Sequence, residues 1–499
     1  MTLQISVRTG QPLEVEADVA VVGVFTLASS KKANALIEAL DRALGGGVAS
    51  LVQAEDFTGK DDTSISFSTL GKAKARRLVI LGLGDKPAFD VAAVRTFASR
   101  AAREADKAKA SSLVIALPEG AEKHLREVAE GLELGAYRFA KYLTGERKPK
   151  TALTSVTVLV PRKPAADAKR AVEIGQRVGA AVNVARDLSN EPPNAMYPAA
   201  LAEAAVRAGK EHKFSVTVFD DKEILKRGMY LLHAVGRGSA HGPRLVHMAY
   251  VPAKKGKKKI VFVGKGITFD TGGISIKPSA GMEAMKHDMS GAANMVGLMA
   301  AVAATKPQVE VHALMACAEN MPDGNAYRPG DVWGSYSGKT VEIVNTDAEG
   351  RLILADALTY AAKDLQADVI VDNATLTGAC VVALGNTCSG WYASNEDIAR
   401  RFATAVKDSG ERMWRMPLLE ELKDQLKSDV ADVKHTGDRW GGSITAALFL
   451  REFIGDVKDW VHADIAGPAA ADKAYAWYGK GATGHGVLTF LALVDRLAR

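Results

Sequence analysis

The sequence predicts an α/β protein built from two large domains. Short apolar runs alternate with helical patterns along nearly the whole chain, which is the signature of strands joined by helices. At 499 residues the chain exceeds what one hydrophobic core usually serves. The alternation is broken once, at EPPNAMYP (191–198), where three prolines end any helix.

The first domain covers residues 1–163. Its strand candidates are ADVAVVGVF (17–25), RRLVILGLG (76–84), SSLVIALP (111–118) and TSVTVLVP (154–161). Between them, 91–110 and 122–143 carry apolar residues at helical spacing. The order implies a largely parallel sheet. This domain holds no paired carboxylates and no nucleophile constellation. The GLG at 82–84 reads as a turn in preference to a nucleotide loop.

Residues 164–190 read as one long amphipathic helix, and 164–194 as the linker between domains. From 195 to 499 the alternation resumes. Strands are expected at 215–220, 245–252, 258–266, 309–319, 340–345, 367–377 and 459–467. Helices are expected at 290–305, after Arg351, and at 398–410, 443–454 and 485–498.

Composition narrows the class. The net charge of +6 is modest for this length and demands no polyanionic partner. The run KKGKKK (254–259) reads as a solvated turn, with a nucleic-acid contact as the alternative. Cys317, Cys380 and Cys388 are odd in number and form no CxxC pair, which predicts reduced thiols in a cytosolic protein. The N-terminus lacks the apolar segment of a secretory signal. No apolar run reaches about 18 residues, so no membrane helix is expected. The expected location is the cytoplasm.

Two stretches carry chemistry. In TVEIVNTDAEGRL (340–352) an apolar run ends in Asp347 and Glu349, and a helical pattern begins at Arg351. That puts two carboxylates at the carboxyl end of a strand, where open α/β sheets hold ligands. Side by side they repel unless a cation or shared proton lies between them. Helix capping is the alternative. In the second stretch, 264–295, an apolar strand ends near Lys265, Asp270 opens the Gly-rich TGG loop, Lys277 follows, and Asp288 precedes a helix. A lysine at a buried strand end must be paired or neutral. The ten histidines, His287 included, form no HExxH or other metal pattern. A metal here would be held mainly by Asp270, Asp288, Asp347 and Glu349. Four carboxylates suit two divalent ions, Mn²⁺ or Mg²⁺, or Zn²⁺ if a nitrogen joins them.

These motifs resemble the leucyl aminopeptidase (cytosol aminopeptidase) family. NTDAEGRL (345–352) matches its signature octapeptide, and VGKGITFDTGGISIKP (263–278) and MKHDMSGAA (285–293) match its other metal-site segments in order and spacing. Weaker similarity runs through RDLSNEPPN, NATLTGA, GGSITAALFL and WVHADIAG. His485 departs from the family pattern, in which an aromatic or small residue is expected.

The resemblance implies an N-terminal macro-like α/β domain and a C-terminal α/β/α aminopeptidase domain with a twisted mixed sheet. It implies two divalent ions per subunit, Mn²⁺ or Zn²⁺. Lys265, as a neutral amine, and Asp288 would hold one; Asp347 would hold the other; Asp270 and Glu349 would bridge them. Lys277 and Arg351 would be catalytic, with bicarbonate near Arg351 as the base. Met285, Thr375, Leu376 and Gly378 would line the first substrate subsite, Leu376 and Gly378 through backbone groups. The implied reaction removes N-terminal Leu, Met and other mostly apolar residues from peptides. A homohexamer is implied, and an additional DNA-binding role is the alternative.

Overall fold

The computed structural model describes residues 3–29, 31–253, 256 and 258–498. Lys254, Lys255 and Lys257 of the basic run lie outside the described residues. The chain divides into two compact units, Met1–Ala180 with Ala474–Gly479, and Ala181–Lys473 with Lys480–Arg499.

The first unit is built on six strands: β1 (Gln4–Arg8), β2 (Ala17–Val24), β3 (Ser64–Ser68), β4 (Ala75–Gly82), β5 (Ser112–Ala116) and β6 (Ser155–Leu159), in the spatial order β1-β6-β5-β2-β4-β3. All neighbours are parallel except β3 with β4. The four strands read from sequence are the buried central ones. The two missed, β1 and β3, are half-exposed edge strands whose polar residues weaken the apolar signal. Helices α1 (Lys31–Ala43) and α2 (Val48–Ala54) belong to one face, and α3 (Val91–Lys107) and α4 (Leu125–Ala136) to the other. The predicted linker helix is a single helix, α5 (Ala168–Asn190), and the division between units falls within it.

The second unit holds strands β7 (Ser215–Phe219), β8 (Arg244–Tyr250), β9 (Lys259–Asp270), β10 (Glu310–Asn320), β11 (Val332–Gly334), β12 (Thr340–Glu342), β13 (Val369–Ala374), β14 (Ser389–Ala393), β15 (Met413–Arg415), β16 (Val433–Lys434) and β17 (Asp459–Asp464). Its helices are α6 (Pro198–His212), α7 (Asp221–Arg227), α8 (Tyr230–Gly236), α9 (Ser290–Thr305), α10 (Gly350–Lys363), α11 (Gly378–Leu384), α12 (Glu396–Ser409), α13 (Gly442–Arg451) and α14 (Val487–Leu497). Eight strands form one mixed sheet in the order β15-β14-β17-β13-β9-β10-β8-β7. The central β10, β9, β13 and β17 are parallel. The chain leaves β9 for β10 on one side and leaves β13 for β14 on the other, so the crevice at their carboxyl ends is a topological switch point.

The expected strand at 340–345 needs correction. Only Thr340–Glu342 is strand, and it belongs to a small sheet, β11-β12-β16, not to the main one. The ladder stops because the Val344 N–H is taken by the His435 ring at Nδ1, 3.2 Å away, in place of a strand carbonyl. Asp347 therefore sits in a 3₁₀ turn, Thr346–Ala348, and Glu349 stands at the start of α10. Neither caps a helix end through its side chain.

His485 is buried beside Glu411, with Nδ1 and Oε1 4.0 Å apart, and its carbonyl accepts from Asn294 Nδ2 at 2.7 Å. The departure at this position lies in the packing of α14 and away from the carboxylates.

Candidate metal centre

Lys265 and Asp270 lie five residues apart on β9, which in a regular pleat would put them on opposite faces. The register shows how they meet. Ile267 pairs with Ala318 and Asp270 with Asn320, three steps on β9 against two on β10. The extra residue is a bulge, and it turns Asp270 to the side of Lys265. Asp288 follows the 3₁₀ turn Met282–His287 and is separated from α9 by Met289 alone. Gly272, at φ 85°, makes the turn after Asp270; a Cβ there would lie 2.5 Å from the Ser275 carbonyl and 2.9 Å from Asp347 Oδ1.

The predicted ligands converge. Lys265, Asp270, Lys277, Met285, Asp288, Asp347, Glu349, Thr375, Leu376 and Gly378 all line one cavity of about 350 Å³. Asp270, Asp347 and Glu349 each offer an oxygen within 4.8 Å of the others. The two lysines bridge the acids: Lys265 Nζ lies 3.0 Å from Asp288 and 2.8 Å from Glu349, and Lys277 Nζ lies 3.0 Å from Asp270 and 2.5 Å from Asp347. Lys265 also donates to the Thr375 carbonyl at 2.8 Å.

Burial works against charge on Lys265, Lys277, Asp288, Asp347 and Glu349, and their neighbours decide the outcome. Burial would lower the Lys265 amine, but Asp288, Glu349 and Asp270 outweigh it and raise it. Lys277 is likewise raised, by Asp270 and Asp347 against burial. Burial raises the Glu349 and Asp288 carboxyls, and nearby carboxylates add to it. Asp347 is raised as well, by burial first. The cluster therefore holds more acid than two ammonium groups satisfy. Asp288 Oδ2 and Glu349 Oε2 are buried without a hydrogen-bond partner. Buried anionic oxygens left bare are costly, and an oxygen-rich set of this kind matches hard divalent ions. The residues fit a metal.

Arg351 stands apart. It does not line the cavity; it is buried, donates to the His435 carbonyl at 2.9 Å, and has an Nε without a partner. Burial lowers it to about 10. Leu376 offers less backbone than expected, because its N–H is already donated to Asp464 Oδ1 at 3.1 Å. His287, outside any sequence pattern, reaches the cavity wall.

Sequence reasoning missed the residues that hold the acids in place. Asn320 donates to Asp270 Oδ1 at 2.8 Å and to the Thr346 carbonyl at 3.0 Å. Tyr327 donates to the same carbonyl at 2.7 Å. Thr346 Oγ1 donates to the Gly272 carbonyl at 2.6 Å and ties the two acidic loops together. The buried His435 ring sits 2.8 Å from the Asn345 carbonyl through Nε2. Only Asn320 left a signal, as a polar residue ending a long apolar strand.

Residues 183–491 match the cytosol aminopeptidase family, catalytic domain, and residues 21–146 match that family's N-terminal domain. A probable cytosol aminopeptidase of Aquifex aeolicus is 42% identical over 452 residues, 90% of each chain. One of Alkaliphilus oremlandii is 38% identical over 503 residues, all of both chains. Among solved structures, a tomato leucine aminopeptidase mutant superposes with a TM-score of 0.90 at 33% identity, over 99% of this chain and 97% of its own. The bottromycin maturation enzyme BotP in complex with Mn gives 0.84 at 33% identity, over 97% and 100%.

Proposed function

The chain belongs to the cytosol aminopeptidase family, a family of metallo-exopeptidases, and we infer that it removes Leu, Met and other mostly apolar N-terminal residues from peptides using two divalent ions. The observation that carries this reading is the surplus of buried carboxylate oxygen at the carboxyl ends of β9 and β13.

Asp270, Asp347 and Glu349 would hold the ions together with Asp288 and Lys265, Asp270 and Glu349 reaching both. Bound ions of this kind supply Lewis acidity, which acidifies water and polarises a carbonyl. For Lys265 to join them it must give up its proton, which in the metal-free site is held by Asp288 and Glu349. Mn²⁺ is favoured by analogy with the Mn complex of BotP, and Zn²⁺ is the other candidate.

Lys277 keeps its charge. An ammonium has three N–H groups, and Asp270 and Asp347 take two. The third is free for the scissile carbonyl oxygen, a donor worth roughly 10²–10³ in rate. Arg351 would hold bicarbonate as the base, and its unpartnered Nε suits an anion. Met285, Thr375, Leu376 and Gly378 would take the first side chain, Leu376 through its carbonyl alone.

Among the described residues no helix is long and apolar enough to cross a membrane; with relatives named cytosol aminopeptidase, this supports a cytoplasmic place of action. The homohexamer rests on the family alone. The DNA-binding alternative rests on the +6 charge and the KKGKKK run at 254–259; absence of a duplex shift at low salt would remove it. The aminopeptidase reading is tested with leucine amide and its N-acetyl form. Cleavage of the first and not the second is expected, and equal cleavage of both would refute it.

A further inference from the structure

Asp464 ends β17 and is fully buried. Its carboxylate is spent on the chain around it. Oδ1 accepts the Leu376 N–H and the Ala466 N–H, each at 3.1 Å, and Oδ2 accepts the Thr377 hydroxyl at 2.7 Å. The Thr377 oxygen in turn accepts the Cys380 N–H at 3.1 Å and so caps α11. Bulk water does not reach the carboxylate, so it does not compete for these bonds.

Where these bonds lie gives them their consequence. Strands β13 and β17 run parallel, with Ala374 opposite Asp464 as their last pair, and the Ile465 N–H closes the ladder on the Ala374 carbonyl at 2.8 Å. Past that point one chain turns into α11 and the other runs on through 466–470. Both segments line the cavity, the first with Leu376, Gly378 and Val381, the second with Ala466 and Ala469. Where the ladder stops, a single carboxylate oxygen holds an N–H from each of them. The two segments also touch where a Cβ on Gly467 would lie 2.4 Å from the carbonyl of Gly385, the residue that follows α11.

We propose that Asp464 is a positioning residue that fixes the spacing of these two segments and thereby the largest N-terminal side chain the cavity admits, a role that rests on the aminopeptidase reading above. Without the carboxylate, two N–H groups and a hydroxyl lose their acceptor in a buried place, which is costly. Water entering between the segments would satisfy them, and it would spread the segments apart. A pocket held at one width separates side chains by size. A pocket free to widen accepts bulkier ones. The bonds of Asp464 run to the main chain of both segments, so their loss changes the shape of the cavity and acts on substrates according to their bulk.

The test measures kcat/KM for the p-nitroanilides of phenylalanine, leucine and alanine with saturating Mn²⁺, and the Kd of free phenylalanine and leucine by calorimetry. In Asp464→Ala the phenylalanine-to-leucine ratio should rise about tenfold, the scale on which pockets discriminate by size, and the two Kd values should shift in the same sense. Asp464→Asn keeps an oxygen for both N–H groups and should recover most of the original ratio. Thr377→Val keeps the shape of the side chain and removes the hydroxyl bond alone, so it tests the proposal even if Asp464→Ala does not fold. Its ratio should rise about threefold, in keeping with one modest hydrogen bond. An unchanged ratio in Thr377→Val, or an equal fall for all three substrates in Asp464→Ala, overturns the proposal. Cleavage of leucine p-nitroanilide by the unmodified protein in the same assay separates that result from failure of the aminopeptidase reading.

Discussion

Lys265 Nζ stands 2.8 Å from a carboxylate oxygen of Glu349, with both side chains under 5% exposed. An ammonium so deep in the protein is tolerable only beside its acids. In the metal-free protein it serves as the internal counterion of a site that is short of positive charge.

Glu349→Ala removes one of the two acids that hold Lys265 and one of the proposed bridges. Metal-free protein should lose about 3 kcal/mol of stability, in line with buried pairs broken on one side. Turnover of leucine p-nitroanilide should fall at least about a hundredfold. Urea unfolding and steady-state rates measure the two effects. Unchanged stability would show that Glu349 does not carry the Lys265 charge.

Two glycines separate the site from its frame. A Cβ at Gly350 would lie 2.6–2.8 Å from Cε, Nζ and Cδ of Lys265, the movable end of a side chain. At Gly291 it would lie 2.1 Å from the Asn373 carbonyl and 2.8 Å from the Lys265 backbone nitrogen. Gly350→Ala should therefore displace the Lys265 amine, weakening Mn²⁺ binding about tenfold or more with little change in Tm. Gly291→Ala drives backbone from backbone and should cost about 3 kcal/mol. Calorimetry on both variants checks the contrast.

How much of this was legible in the chain depended on burial. Strands β9, β10 and β13 are buried almost throughout, and such strands write continuous apolar runs. Asp270 stood out because it ends one of those runs. The bulge that turns Asp270 to the side of Lys265 had no sequence mark, since neither Thr268 nor Phe269, the two residues between the paired positions, announces it. The short β12 was misjudged because Ile343 and Val344 extend its apolar pattern. Ile343 is indeed buried, but Val344 is 44% exposed and its N–H goes to a histidine 91 residues away. Long-range side-chain contacts of that kind leave no local periodicity.

That histidine gives a third prediction. His435 meets Val344 N–H and the Asn345 carbonyl, and its own carbonyl receives Arg351. His435→Ala should loosen both ends of the acidic turn and lower kcat/KM by roughly 10–100-fold, as loss of an orienting partner does. His435→Gln should recover part of it. An alanine variant with full activity would show that the turn is held by Thr346 and Asn320 alone.

Stability should also depend on pH through a site remote from the acids. His247 Nε2 lies 2.7 Å from His312 Nδ1, and His312 Nε2 lies 2.8 Å from Glu310. Burial, then His312 and Lys259, push His247 down to about 4. An unfolded chain binds that proton near its ordinary value of about 6.5. Between the two values the unfolded state holds more protons, so stability present above pH 6.5 is lost progressively as the pH falls towards 4. The Tm of the wild type should drop between pH 7 and pH 5, and His247→Phe should flatten that drop. Parallel curves for the two proteins would contradict it.

The most direct test titrates EDTA-treated protein with Mn²⁺, measuring bound metal per chain and leucine p-nitroanilide hydrolysis in the same samples. Activity should be absent at zero occupancy and reach its plateau only as the metal approaches two ions per chain. Full hydrolysis by protein holding no metal, or saturation of both signals in a variant lacking Asp270 and Glu349, would contradict the account.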